Sequence, residues 1–475
     1  MRSFILSIAS AVAMASLLLA ACTTVGPDYV PPEPEMPESY LELGDPALKP
    51  VPADVKQWWV VFDDPMLTDL IGMAAQGSLD LRIAIARVNE ARARLGVVSG
   101  QMAPVVGVQG AAVRERTAPA NSTQTRFSTG LDAGWEIDLF GRVSRSIEAA
   151  GADLAAIQED RTDVMITLYA EVARTYLSIR TLQARLIAAN GNIRSQETVL
   201  DLTRKRLSHG LATDLDVAQA EQVLAASESR LPPLRIELNQ SINTIAVLLG
   251  KQPGTLAEKL NPVRPIPLPP ADVAVGVPAN LLRQRPDIRR AERQLAAQTA
   301  RIGVATADLY PTLSLNGSLG LGAINSANLF SRDSLGFSLG PSLRWNLFDG
   351  GRVRNQIKVE DARTEQVLLV YERTVLEALN EVENALTAFI EQRIQYEAQE
   401  RSAAAARRSL QLATALYRDG LIGFQSVVDS QRALFDFENQ VAAAQGQAAV
   451  NVVRLYKALG GGWNPDEIET AGGTS

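Results

Sequence analysis

Apolar and polar residues alternate along several short stretches of the chain, which is the pattern of a β-strand with two unlike faces. Between residues 311 and 321, leucine occupies four odd-numbered positions, and threonine, serine and asparagine lie at even-numbered ones. Residues 335–347 and 127–138 alternate in the same way. Segments of about ten residues with one apolar and one polar face fit the strands of an outer-membrane barrel, although a half-buried hairpin in a soluble domain would show the same alternation.

The stretches that follow these strands have the pattern of very long helices. No proline occurs from Arg142 to about Ser208, and a helix of about 67 residues would be about 100 Å long. Apolar residues recur there with the 4-3 spacing of a coiled-coil seam, and a second seam follows the later strands. The seam residues are Leu168, Val172, Thr175, Ile179, Leu182, Leu186, Ala189 and Ile193, then Leu368, Tyr371, Val375, Ala378, Val382, Ala385 and Phe389. Shorter helices are predicted over residues 65–100 and 279–308.

The chain contains two copies of one arrangement. Trp135 recurs as Trp345, 210 residues later. Pro104 recurs as Pro311, 207 residues later. A constant offset over more than a hundred residues predicts duplicated helices of equal length, and the slip of three marks a length change in a loop. Each copy therefore reads helix, strand, strand, long helix, shorter helix.

The number of strands determines the oligomeric state if the strands lie in a membrane. Two hairpins give four strands per chain, and an open sheet in lipid would leave the groups of its edges unsatisfied, at about several kcal/mol each. Three chains would close a barrel of about twelve strands with room for water. We therefore expect a homotrimer. Trp135 and Trp345 are candidates for an interfacial aromatic girdle or for packing at the strand-to-helix corner.

The N-terminus has the pattern of a secretory signal with a lipidation site. Arg2 precedes an apolar run that ends in Leu19-Ala20-Ala21-Cys22, which resembles a bacterial lipobox. We expect residues 1–21 to be a lipoprotein signal peptide and Cys22 to be acylated. The other interpretation is a plain signal peptide with a chance cysteine. Because Thr23 is not aspartate, resemblance to the lipoprotein sorting rule implies anchoring to the outer membrane.

Changes of composition divide the rest of the chain. The stretch from Thr23 to about Pro52 is rich in proline and glutamate and is not expected to form a core, so residues 22–60 are predicted to be an extended, lipid-anchored segment. The other predicted boundaries are 61–250 for the first repeat, 251–275 for a proline-rich link, 276–461 for the second repeat and 462–475 for a flexible C-terminal tail.

The composition argues against several other classes of protein. The net charge is −7, from 46 basic and 53 acidic residues, and there is no long basic run, so nucleic acid is not expected as a partner. One cysteine and one histidine exclude an intrachain disulfide and almost exclude a cysteine and histidine metal site. We expect neither an enzyme nor a cofactor or metal, because no nucleophile-base pair or phosphate-binding loop stands out.

Each long helix is followed by a glycine turn. Gly210 and Gly420 come directly after the predicted helix ends, where glycine accepts the left-handed backbone conformation. Thr213 or Asp214 can cap the helix that returns from the first turn. His209, the only histidine, is interpreted as a turn residue or a contact with a partner, with pH sensing as a further possibility. Both turns are expected at the end of the molecule opposite the strands.

These features together resemble the TolC-like outer-membrane efflux proteins, and specifically their lipoprotein branch, which serves resistance-nodulation-division pumps. The resemblance rests on the lipobox, the two copies of helix-strand-strand-helix-helix, and the turn sequences at 206–221, 417–421 and 428–432. It covers about Trp58 to Gly461. It implies an α+β membrane protein, in which a trimeric 12-stranded β-barrel is continuous with a periplasmic 12-helix α-barrel. The implied function is an outer-membrane exit duct for small molecules, with a periplasmic adaptor and an inner-membrane pump as partners.

The resemblance also implies roles for residues at the turns. In relatives, an acidic ring and a neighbouring apolar ring constrict the periplasmic tip. Asp429 matches the acidic position, although a solvated helix carboxylate is the other interpretation, and Gln425 stands where relatives have the apolar side chain. Simple turn geometry would also explain the two glycines among the candidates for adaptor docking. Those candidates are Arg206, Gly210, Leu211, Gly420 and Leu421.

Two other functions stay open on the sequence. The first is a duct for type I protein secretion. The lipobox favours drug efflux over protein secretion, and the residues expected to line the lumen do not distinguish the two functions. The second is a lipid-anchored periplasmic coiled-coil scaffold whose hairpins are soluble. Persistence in membranes as a heat-resistant trimer would favour the barrel over this scaffold.

Overall fold

The computed structural model describes residues 24–49, 55–117, 122–268 and 272–463. The predicted signal peptide and the predicted acylation site Cys22 lie outside the described residues, as does most of the predicted C-terminal tail. The chain divides into two compact units. The sheet unit comprises the described residues within Met1–Pro34, Ala86–Glu159 and Arg289–Arg373, and the helical unit comprises those within Glu35–Ile85, Asp160–Ile288 and Thr374–Ser475.

The helices and strands follow one another in the predicted order. The α-helices are α1 (Pro65–Gly77), α2 (Leu79–Ser99), α3 (Arg142–Ser208), α4 (Asp214–Glu228), α5 (Leu231–Leu248), α6 (Ala257–Leu260), α7 (Leu281–Gln284), α8 (Pro286–Ala307), α9 (Arg352–Arg418) and α10 (Phe424–Ala458). The strands are β1 (Leu48–Lys49), β2 (Val105–Thr117), β3 (Ser122–Ile137), β4 (Val273–Ala274), β5 (Thr312–Ala323) and β6 (Leu335–Arg344). The first copy is α2, β2, β3 and α3 with α4 and α5, and the second is α8, β5, β6, α9 and α10.

The two long helices have the same length. α3 and α9 each contain 67 residues, as the constant offset between the copies predicts. The predicted seam residues on both helices are buried, except Leu186 and Leu368, which are half-buried. Burial of an apolar stripe is the main source of stability for a helix in a protein. The 4-3 spacing therefore identified the packed faces of both helices correctly.

Strands β2, β3, β5 and β6 form one antiparallel sheet in that order, so the two copies meet between β3 and β5. On one face, Leu131, Leu319 and Phe337 are aligned across three strands. Ser318 and Ser338 are aligned on the opposite face, where their hydroxyl groups are 2.8 Å apart. The apolar face is open, since Phe337 is 83% exposed. The predicted separation of apolar and polar faces is thus present in the sheet.

The strand boundaries differ from the prediction in several places. β2 is absent from the alternation pattern because its small and β-branched residues, from Val105 onward, give no clear period of two. It nevertheless pairs with β3 along its whole length. β3 begins at Ser122 rather than at 127, and β6 ends at Arg344 rather than at 347.

The shorter helices are interrupted, which the sequence interpretation missed. The predicted helix over 65–100 is divided into α1 and α2 at Ser78, where Gly77 lies so close to the carbonyl oxygen of Leu249 that a Cβ atom would not fit. The predicted helix over 279–308 is divided into α7 and α8 at Arg285, whose backbone is extended (φ −86°, ψ 118°). A residue before proline avoids the helical region, and Pro286 follows Arg285.

The N-terminal segment contributes to a core, contrary to the prediction that the stretch from Thr23 to about Pro52 would not. In the helical unit, Tyr40, Leu48 and Trp58 are buried, and the Trp58 ring stacks on that of Tyr456 at a centroid distance of 6.0 Å. β1 pairs in parallel with β4, so part of the predicted link 251–275 is also ordered. The aromatic and leucine side chains supply apolar surface that the surrounding prolines do not.

The buried residues of the helical unit form clusters between the long and the returning helices. The larger cluster surrounds Tyr417, Phe424 and Val428, and the smaller one surrounds Leu182 and Phe435. The larger cluster lies immediately behind the two glycine turns, so those turns are held by packed helix ends. Within the described residues, no helix combines the length and apolarity needed to cross a membrane.

Candidate functional site

The candidate site consists of two turns in the helical unit, each between a long helix and a returning helix. The first turn, residues 209–213, joins α3 to α4. Its Gly210 has φ +70° and donates its N–H to the carbonyl oxygen of Leu207 at 2.9 Å. The N–H of Leu211 reaches back to the carbonyl oxygen of Arg206 at 2.8 Å. This pair of bonds is a Schellman motif, which requires the left-handed conformation that glycine adopts most readily.

The second turn, residues 419–423, joins α9 to α10 and repeats this geometry. Gly420 has φ +77° and donates to the carbonyl oxygen of Tyr417 at 3.0 Å. Leu421 donates to the carbonyl oxygen of Leu416 at 2.9 Å. Both glycines predicted to end the long helices therefore do so, by the same hydrogen bonds in the two copies.

The starts of the returning helices differ between the copies. Thr213 caps α4 in a capping box, in which its side chain accepts from the N–H of Asp216 and the Asp216 carboxylate accepts from the N–H of Thr213. Asp214, the other predicted cap, is instead the first residue of α4. Gly423 precedes α10 and offers no side-chain cap. The first turn is consequently fixed by more side-chain hydrogen bonds than the second.

The Arg206 side chain connects the two turns. One terminal nitrogen of its guanidinium donates to the carbonyl oxygen of Arg418 at 2.8 Å, and the other donates to that of Leu211 at 3.2 Å. The guanidinium also lies 4.6 Å above the centre of the Tyr417 ring. A cation over an aromatic face and hydrogen bonds to helix-terminal carbonyl groups are both favourable. Arg206, predicted as a docking residue, thus holds the second turn against the first.

Leu211 and Leu421 are the exposed apolar residues of the turns. Their exposed fractions are 64% and 70%. In a Schellman motif the residue at this position often packs against its own helix, whereas these two side chains remain largely in solvent. The turns therefore present two equivalent apolar side chains to any partner that approaches them.

The predicted gate residues lie together on the first turns of α10. The side-chain amide of Gln425 donates from Nε2 to Oδ1 of Asp429 at 2.9 Å, and both residues are exposed. Phe424, Val427 and Val428 point to the opposite, buried side of the helix. The structure therefore brings Gln425 and Asp429 into one polar pair on the solvent face of α10.

His209 has a local role in the first turn. Its Nδ1 lies 2.7 Å from the carbonyl oxygen of Lys205, so Nδ1 carries the proton that is donated to this acceptor. The side chain is exposed. This contact satisfies a carbonyl group near the end of α3, in agreement with the interpretation of His209 as a turn residue.

Tyr417 is the residue of this site to which sequence reasoning assigned no role. It is only 4% exposed and lies between the Arg206 guanidinium and the Phe424 ring, whose centroid is 5.4 Å away. An aromatic residue three positions before a helix-ending glycine was the available signal. Its partner, however, comes from the other copy, which the sequence does not show. Among the described residues there is no cluster of three or more His, Cys, Asp or Glu side chains that could hold a metal ion.

Comparison with known proteins identifies the family. Residues 70–251 and 277–461, one stretch in each copy, match the family described as "Outer membrane efflux protein". Nodulation protein T of Rhizobium leguminosarum bv. trifolii is 32% identical over 460 residues, which is 95% of this chain and 96% of that protein. The pyoverdine export outer membrane protein OpmQ of Pseudomonas putida is 34% identical over 430 residues, 86% of this chain and 89% of that protein.

A solved structure agrees with this result at the level of the fold. The outer-membrane channel OprN superposes with a TM-score of 0.88 at 34% sequence identity, over 93% of this chain and all of that one. The match includes both copies of the repeat, and the resemblance stated from the sequence is thereby confirmed. The chain belongs to the outer membrane efflux protein family and is a transport protein of the bacterial outer membrane.

Proposed function

We propose that this chain forms, as a homotrimer, the outer-membrane exit duct of a tripartite efflux system. The observation that carries the proposal is the four-stranded sheet, which has one open apolar face and a polar opposite face. β2 and β6 are its edge strands, and in lipid their unpaired backbone groups would need partners. Three copies would supply twelve strands, enough for a barrel with an aqueous lumen.

The helices supply the periplasmic part of the proposed duct. Each chain contributes α3 and α9 and the shorter helices that accompany them, and three chains would form a barrel of twelve helical segments. The buried seams on α3 and α9 support this arrangement, because they are the faces along which long helices associate. The duct conducts passively, so selection of the cargo belongs to the inner-membrane pump, here proposed to be of the resistance-nodulation-division type.

The turns are the proposed contact with a periplasmic adaptor. Leu211 and Leu421 provide apolar anchor side chains, while Gly210 and Gly420 fix the turns and Arg206 fixes their spacing. Gln425 and Asp429 form the proposed gate behind the turns. Acylated Cys22 would anchor the mature N-terminus in the outer membrane.

The cargo class is small molecules. The name of one relative refers to pyoverdine export, and pyoverdine is a small molecule rather than a protein. Susceptibility of a deletion strain to a panel of toxic compounds, with and without complementation, tests the transport role. Unaltered susceptibility to every compound in the panel would count against drug efflux.

The trimer is tested on the purified protein. After extraction from outer membranes in detergent, the unheated protein should migrate in electrophoresis as a trimer and form channels in planar bilayers. Release of a serine variant of Cys22 from membranes by mild salt alone, as a monomer, would instead support the scaffold.

Adaptor docking is tested by site-directed cross-linking. Cys22 is the only cysteine of the sequence and its thiol is consumed by acylation, so an introduced cysteine would be the single reactive thiol. Thr213→Cys and Ile422→Cys should cross-link to a co-expressed adaptor. Glu397→Cys, exposed on α9 but distant in sequence from both turns, is the matched control. Failure at both turn positions would remove the turns from the docking surface.

A further inference from the structure

A polar cavity in the sheet unit lies at the end of the sheet nearest to α3 and α9. Its volume is about 420 Å³. Five charged side chains line it, and serine, threonine, asparagine and tyrosine side chains complete the wall. The charged residues are Glu136, Arg142, Asp308, Arg344 and Arg352. Both copies of the repeat thus contribute to one cavity within one chain.

One of the three arginines is neutralised inside the cavity. Arg142 donates to Glu136 through Nε at 2.9 Å and through a terminal nitrogen at 2.7 Å, a bidentate ion pair. The two side chains are about equally shielded, with 32% and 30% of their surfaces exposed. This pair orders the wall of the cavity and leaves no full charge available from either member.

The other two arginines have no such partner. Within the part of the chain that the structure describes, neither guanidinium has a carboxylate oxygen within 4 Å, although Arg352 interacts electrostatically with Asp349. Asp308 is the one further acidic residue in the wall, so three guanidinium groups face two carboxylates. The side chains of the wall therefore have a formal net charge of +1, and Asp138 and Asp349, which interact electrostatically with Arg142 and Arg352, are not part of the wall.

The uncharged groups of the wall are also suited to an anion. The side-chain amide of Asn316 donates to the Ser342 hydroxyl at 3.0 Å, which leaves the hydroxyl hydrogen of Ser342 free to donate into the cavity. The planar guanidinium groups of Arg344 and Arg352 match the geometry of carboxylate and phosphate oxygens. Charge and hydrogen-bond donors therefore favour the same class of ligand.

We infer that this cavity is a binding station for the anionic groups of exported molecules, such as carboxylates, phosphates or sulfonates. The inference rests on the proposed function, because cargo reaches the cavity only if the polar face of the sheet lines the duct. In a trimer the cavity would occur three times around the axis, and a ring of fixed charges biases a pore towards ions of opposite sign. The station raises the local concentration of anions where the cargo leaves the helices for the sheet.

The inference is tested by ion selectivity in planar bilayers of phosphatidylcholine, which carries no net charge and so excludes anionic lipid as the ligand. The reversal potential in a KCl gradient gives the permeability ratio of chloride to potassium. The double variant R344Q/R352Q should lower that ratio by about two- to fivefold, the size expected for removing two fixed charges from each chain in a water-filled pore. Citrate, a soluble tricarboxylate probe, should reduce the current of the wild type more than that of this variant.

Two controls separate charge from structure. R344K/R352K keeps both charges and should retain the wild-type ratio. Arg354 is exposed on α9, two residues after Arg352, but does not line the cavity, so R354Q should also retain it.

The possible failures are distinct. Wild-type protein that forms no channels would overturn the proposed duct and the station with it. Channels whose selectivity and citrate response are the same in wild type and R344Q/R352Q would overturn the station and leave the duct intact. An equal shift in R354Q would also overturn it, because surface charge in general would then be the cause.

Discussion

Gln425 and Asp429 are joined by a 2.9 Å hydrogen bond from the side-chain amide to the carboxylate, one turn apart on the exposed face of α10. The resemblance to efflux ducts implies an apolar side chain at position 425. An amide at this place cannot exclude water as an apolar group does, but it holds one oxygen of the carboxylate in a fixed direction. The proposed gate of this protein is therefore a hydrogen-bonded polar pair.

The first prediction concerns the charge of this pair. Asp429→Ala should raise single-channel conductance in planar bilayers, because three carboxylates around a three-fold axis would bind cations and water and narrow the opening. Asp429→Asn is the matched control, since it removes the charge and keeps the shape. If conductance rises in Asp429→Ala but not in Asp429→Asn, the size of the side chain at position 429 narrows the opening, and its charge does not. Unchanged conductance with alanine would exclude Asp429 from the gate.

The second prediction concerns the connection between the turns. Arg206→Ala should weaken the attachment of the second turn by about 1–3 kcal/mol, the range for hydrogen bonds to a charged group combined with a cation over an aromatic ring. Amide hydrogen exchange over residues 416–423 should become about tenfold faster or more. Arg204 lies on α3 like Arg206, and Arg204→Ala, which removes an exposed ion pair with Glu221 of α4, should leave this region unaffected. Equal exchange in both variants would refute the connecting role.

The third prediction concerns the left-handed glycine of the second turn. Gly420 has φ +77° and its added Cβ would make only an ordinary contact with Arg206, so Gly420→Ala should cost about 1–2 kcal/mol through backbone strain alone. Gly423, the residue before α10, has φ −73° and open space around it, so Gly423→Ala adds no backbone strain and should cost at most about 1 kcal/mol, through the poorer helix cap that alanine provides. Hydrogen exchange in the second turn measures both. Equal behaviour of the two variants would argue against a strained glycine position.

The fourth prediction concerns pH. Burial, and then the 2.6 Å hydrogen bond that its phenol donates to Asp64, raise the pKa of Tyr176 to about 12. Because the folded state favours the neutral phenol, this contribution to stability is complete below the ordinary tyrosine pKa of about 10 and is lost as the pH rises towards about 12. The loss should be about 2–3 kcal/mol at most. Thermal unfolding of Tyr176→Phe should depend less steeply on pH between about 10 and 12. An unaltered slope would contradict this assignment.

The local features of the fold were predictable from the sequence. The absence of proline and the two glycines bounded α3 and α9, and the alternation near Leu319 identified β5 and β6, because each pattern lies within one element. β2 gave no such pattern and is defined by its pairing with β3. The close approach of Gly77 to Leu249 at the break near Ser78 was not predictable, since the two residues are distant in the sequence.

The sequence predicted where the residues of the candidate site lie along the chain, but not which of them are in contact. Gly210 and Gly420 were found because a helix end needs a left-handed residue. The hydrogen bond from Arg206 to Arg418 joins residues 212 positions apart, and no local pattern reports such a contact. The charged surroundings of Arg344 and Arg352 were not predictable for the same reason, because only the folded chain shows which carboxylates lie near them.

The equal length of α3 and α9 limits how this gene can have changed since its duplication. One added residue turns everything beyond it by about 100° and advances it by about 1.5 Å, so an insertion in either helix would move the buried seam into solvent and displace the turn at its end. Between Pro104 and Trp135, by contrast, the copies differ in length by three residues. The two copies therefore differ by many substitutions, whereas their length difference lies outside the long helices. Both helices still have 67 residues, although most of the residues in them are no longer the same.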